Sequence, residues 1–121
     1  MLVYRIALER FANLQASGIE SRWNSSGNKV IYAASSRALA CLENVVHRSG
    51  EGLHELFKTL VIEIPSAERI EKIDVRDLPK HWQQFNMEHI CRRLGDDWYY
   101  RQECLVLQVP SVIIPNEYNY I

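Results

Sequence analysis

The chain has 121 residues, 47% hydrophobic and 10% aromatic, enough to bury one core and form a single domain over 1–121. Its 14 Lys and Arg against 15 Asp and Glu leave a net charge of −1, which excludes a basic field for direct nucleic-acid binding and an acidic tail. Charges at Arg5, Glu9 and Arg10 interrupt the apolar opening, no run nears membrane-spanning length, and Cys41, Cys91 and Cys104 form no C-x-x-C pair; a soluble protein of the reducing cytoplasm, with no metal site, is expected.

The opening LVYRIA predicts a strand, and after the turn SSGN, KVIYAA (29–34) predicts a second, β-branched and aromatic. Ser35 or Ser36 is placed to cap a helix running to about Arg48, whose Ala38, Leu39, Leu42, Val45 and Val46 recur at three- and four-residue spacing as one apolar stripe. Gly50 and Gly52 are expected to stop it. KTLVIEI then predicts a strand ending at Pro65, followed by a short IEKIDV segment and a loop around LPKHW. From Met87 the pattern turns helical, either one helix broken near Gly95 or two short ones, and CLVLQVP with SVIIP reads as two strand pieces hinged at Pro110. Strands with helices packed beside them make the fold class α+β.

Few residues point to chemistry on their own. At 100° per residue Glu43 falls about 40° from Leu39 and about 60° from Val46, on the flank of the stripe. A partly desolvated carboxylate there serves either an arginine partner or an acid–base role. Arg22, in ESRWNSSGN, could present its fork to phosphate or carboxylate, though a lone arginine beside tryptophan is more often a surface pair. Tyr32 reads as a core tyrosine with a bonded hydroxyl. Ser111 lacks the surroundings of a serine nucleophile, and His47, His54, His81 and His89 lack metal-ligand spacing. Trp82, Trp98, Tyr99 and Tyr100 are candidates for a partner surface or, more commonly, for the core.

Taken jointly, VYRIA, SRWNSSGNKVIYAASSRALACLENVVH and LVLQVPSVIIPNEYNYI resemble the RES family. The family is named for an arginine, a glutamate and a serine, and Arg22, Glu43 and Ser111 stand in the matching places, with Tyr32 between and Asn119 as the last motif residue. Ser21 stands where many members have glycine. Relatives continue past NEYNYI, so the C-terminal end of the usual domain is expected to be missing from this sequence.

The resemblance implies a fold like that of ADP-ribosyltransferases, with mixed sheets and flanking helices, and a toxin that degrades NAD by hydrolysis or phosphorolysis. Protein ADP-ribosylation and a catalytically inactive antitoxin-binding module are the alternatives. By the same resemblance Glu43 stabilises an oxocarbenium-like state, Arg22 holds pyrophosphate or a ribose hydroxyl, Tyr32 stacks on or orients the nicotinamide end, Ser111 binds substrate or orients Glu43, and Asn119 binds substrate. NAD is substrate and no cofactor is needed. An Xre-type helix-turn-helix antitoxin is the implied partner and supplies all DNA contact, in a homodimer or a larger complex.

Overall fold

A computed structural model describes residues 1–48 and 56–121; the helix stop expected at Gly50 and Gly52 lies outside them. The strands are β1 (Leu2–Leu8), β2 (Ala33–Ala34), β3 (Phe57–Glu63), β4 (Ile70–Lys72), β5 (Val106–Pro110) and β6 (Tyr118–Tyr120), with helices α1 (Arg37–Arg48) and α2 (Glu88–Arg101). They build one sheet in the order β3-β1-β2-β6-β5-β4, antiparallel except where β4 runs parallel to β5. This mixed sheet with two helices is the expected α+β class, and it is compatible with an ADP-ribosyltransferase-like arrangement.

The β-branched and aromatic residues of β1 pair with β3 along its whole length, from Leu2↔Glu63 to Leu8↔Phe57. Toward β2 the ladder holds one pair, Tyr4↔Ala34. The strand predicted over 29–34 is therefore mostly absent: only Ala33 and Ala34 enter the sheet, and Val30 makes an isolated bridge to Ser17. The reason is local. Asn24 donates its side-chain amide to the Ile19 and Asn28 carbonyls, and the Tyr32 hydroxyl accepts from the Trp23 N–H. These bonds tie Tyr32 to the 19–28 segment, and both backbone groups of Val30 pair with Ser17 instead of with a sheet neighbour.

SVIIP is also not a strand. The Ser111 hydroxyl accepts from the Ile113 and Ile114 N–H groups, both at 3.1 Å, which coils the chain into a turn. The return strand is β6 instead, paired to β5 at Val109↔Asn119 and to β2 at Ala34↔Asn119.

Ser36 caps α1 by accepting from Leu39 N–H at 3.1 Å. Leu39 and Ala40 pack with Ala34 against Tyr4, Ile6 and Ile114, whereas Leu42, Val45 and Val46 are 37%, 44% and 53% exposed. The apolar stripe therefore faces the core at one end only. Helix α2 runs unbroken through Gly95 and ends at Gln102 in the left-handed region. Glycine is required at 95 by packing: a Cβ there would lie 1.8 Å from the Trp23 carbonyl oxygen. Trp82 and Trp98 are buried with Trp23, Leu107 and Val109 in the main core, and Tyr99 packs against it. Of the four aromatics weighed for a partner surface, Tyr100 alone is largely exposed. No helix among the described residues is long and apolar enough to cross a membrane.

Candidate active site

Because β1 and β2 part after one pair, the sheet opens beside that pair. Arg5 and Ile6 line one side of the opening and Tyr32 and Ala33 the other, in a cleft of about 740 Å³, a size suited to a small-molecule ligand. Helix α1 contributes Ala40, Glu43, Asn44 and Val46; Ser21, Arg22, Phe85 and Glu88 supply the opposite wall, and Asn119 of β6 reaches the interior.

One carboxylate is held in place at this cleft. Glu43 Oε1 accepts from Asn119 Nδ2 at 2.8 Å and from the Ser111 hydroxyl at 3.3 Å. Ser111 is buried at 5% exposure. Its hydroxyl, with two backbone N–H groups on its lone pairs and its proton toward Glu43, has used its full hydrogen-bonding capacity. It orients Glu43 from behind and is not among the residues facing the cleft. Three predicted residues spread over 76 positions of sequence, Glu43, Ser111 and Asn119, thus meet in one constellation.

Arg22 and Tyr32 stand in the facing wall. Arg22 Nη1 and Nη2 donate to the carbonyls of Trp82 and Gln83, each at 3.0 Å, and Nη1 also approaches Cys91 Sγ at 3.8 Å. The Tyr32 hydroxyl donates to Asn24 Oδ1 at 2.6 Å and accepts from the Trp23 N–H at 3.1 Å. Burial pushes its pKa up to about 12, so it remains a protonated donor. The reading of Tyr32 as a core tyrosine with a bonded hydroxyl matches this geometry, except that its ring also lines the cleft.

A second network ties this wall to α2. Asp96 accepts from Ser25 N–H, the Ser25 hydroxyl and Asn28 Nδ2, while Arg92 donates to the Ser21 carbonyl and pairs with Glu88 at 3.4 Å and Glu20 at 3.7 Å. Burial alone would raise the Asp96 carboxyl, but those hydrogen bonds outweigh it and hold it below its ordinary value.

Arg5 is the residue that sequence reading missed. It is half-buried at the cleft, its side chain makes no hydrogen bond or ion pair among the described residues, and burial holds its pKa below the ordinary guanidinium value. A signal existed: it is the sole charge within the apolar strand Leu2–Leu8, and a buried unpaired charge is costly enough to need a reason. Among the described residues no three His, Cys, Asp or Glu side chains gather to hold a metal.

Comparison with known proteins gives the family. The RES domain model matches residues 2–121. A Prs ADP-ribosylating toxin of Sphingobium sp. (strain YBL2) is 40% identical over 103 residues, covering 83% of this chain and 63% of the relative. Proteins named Toxin Res from Photorhabdus laumondii and Yersinia enterocolitica are 31% and 32% identical over 126 residues, covering 100% of this chain and 80% and 82% of the relatives. With nearly the whole chain inside the family model and toxins among its relatives, this protein belongs to the RES domain family of toxins.

Proposed function

We propose that this chain is a toxin that consumes NAD by breaking the bond between nicotinamide and ribose. The observation that carries the reading is the Glu43 carboxylate, fixed by Asn119 and Ser111 at a cleft in the split sheet and faced by an arginine-bearing wall. Nicotinamide leaves with the electron pair of the C–N bond, and positive charge develops on the ribose. Glu43 stabilises that charge, and because its donors are already in place little reorganisation is needed as it forms. Tyr32 presents its ring to the nicotinamide end, and Arg5 supplies a cation for the pyrophosphate. Water adding to the ribose and losing a proton gives ADP-ribose; phosphate as acceptor gives ADP-ribose 1-phosphate.

A second reading, transfer of ADP-ribose to a protein side chain, is favoured by the name of the Sphingobium relative, a Prs ADP-ribosylating toxin. The cleft mouth, with Ile19 and Phe85 exposed, suits a protein acceptor as well. In either case the partner is an Xre-type antitoxin that covers the cleft and supplies DNA contact, and the reaction takes place in the cytoplasm with NAD as substrate.

The test follows NAD and its products over time with purified wild type beside Glu43→Gln, with and without phosphate, and with a cell extract as protein acceptor. Loss of NAD in wild type only, with one of the three products, fits the reading. Intact NAD under all three conditions with folded protein overturns it and leaves the inactive antitoxin-binding module.

A further inference from the structure

Arg22 is engaged in a way that substrate binding does not explain. Both terminal nitrogens donate to successive carbonyls, Trp82 and Gln83, at 3.0 Å each. The loop it grips is strained: His81 adopts a left-handed φ of 62°, an unfavourable conformation for a residue with a side chain. Trp82 is buried with no partner for its indole N–H among the described residues. Two residues beyond the second gripped carbonyl, Phe85 stands at the cleft mouth, 87% exposed. A planar fork spanning two neighbouring carbonyls fixes the loop's path in a way that a single donor does not.

We infer that Arg22 is a positioning residue: it pins the loop around Trp82 and Gln83 and thereby sets Phe85 as a stacking wall for a flat ring of the substrate. The pinning half stands on geometry alone. The stacking half rests on the reading of NAD as substrate, whose two ring systems suit an exposed aromatic at the mouth of the cleft.

The test uses Arg22→Lys, a mild change that keeps the positive charge but cannot bridge both carbonyls. Without substrate, hydrogen exchange is read at the Gln84 and Met87 amides, which donate within this loop to His81 and Gln84 carbonyls. Exchange there is expected to quicken about tenfold or more, the size of one charge-assisted hydrogen bond. With NAD, Arg22→Lys and Phe85→Ala are each expected to raise KM about tenfold while kcat stays within about threefold, and the double variant to be no worse than either. Unchanged exchange in Arg22→Lys, or additive rises in KM, overturns the inference. If wild type consumes no NAD the proposed function fails, and the exchange measurement still decides whether Arg22 holds the loop.

Discussion

Replacing Gly95 with alanine tests the packing that supports the site, because two lines of reasoning give opposite signs. Taken as a helix residue alone, glycine is worse than alanine by about 1 kcal/mol, so Gly95→Ala should stabilise. The tertiary geometry opposes this: the new Cβ would sit 1.8 Å from the Trp23 carbonyl oxygen and 2.7 Å from its carbon, both backbone atoms. Reaching 3.4 Å, where ordinary contact begins, requires α2 and the Trp23 backbone to separate by about 1.6 Å. That movement would loosen the cluster of Trp23, Trp82, Cys91 and Trp98. Overpacking of this kind costs about 3 kcal/mol, and the propensity gain offsets about 1, leaving a net loss near 2 kcal/mol. A thermal melt by circular dichroism should show Tm lower by roughly 10 °C. A Tm equal to or above that of wild type would refute the packing argument and with it the rigid placement of Arg22 next to Trp23.

Further outcomes follow from the same hydrogen bonds. Glu43→Gln should lower kcat for NAD loss by about 10² to 10³, and combining it with Asn119→Ala should add little, since Asn119 acts on the same oxygen. Ser111→Ala, which strips partners from the Ile113 and Ile114 N–H groups as well as from Glu43, should cost about 2 kcal/mol in a denaturant titration. Tyr32, raised from 10.0 to about 12 on folding, lends stability that is complete below pH 10 and lost as pH rises through 12, about 3 kcal/mol in all; Tyr32→Phe should flatten stability across that window. Asp96 is depressed below its ordinary 3.8, so its contribution is present above that value and lost as pH falls beneath it; Asp96→Asn should remove that acid dependence in melts taken at successive pH values.

The elements legible in sequence were those whose pattern and environment agree. Leu2–Leu8, Phe57–Glu63 and Val106–Pro110 are strands, and Arg37–Arg48 is a helix opened by Ser36. Misread segments were decided by side chains acting on backbone: Asn24 and Tyr32 draw 29–32 out of the sheet, and Ser111 coils SVIIP. At Gly95 the deciding group is a carbonyl 72 residues earlier in the chain, which no local window contains. Within the site, the placing of Glu43 on the flank of α1 was legible from periodicity. That Asn119 meets it was not, because the contact depends on β6 lying between β2 and β5, and Ser111 was set against it by the family resemblance alone. Arg5 was visible as a charge in an apolar strand, but its role follows only from where the sheet opens.

That opening joins the fold to the site. Were the ladder between β1 and β2 to continue past Tyr4↔Ala34, Arg5 would face Ala33 and Ile6 would face Tyr32, and the cleft they now line would close. The ladder stops because the Tyr32 hydroxyl is bound to Asn24 and to the Trp23 N–H, holding the preceding chain off the sheet. On the far side of β2, pairing with β6 continues and delivers Asn119 to Glu43. The predicted residues therefore fall into two groups. Arg22 and Tyr32 shape the wall that keeps the sheet apart, while Glu43, Ser111 and Asn119 set the carboxylate within the gap. Changes in the first group should alter the binding and width of the cleft before they alter the chemical step, and changes in the second group should do the reverse.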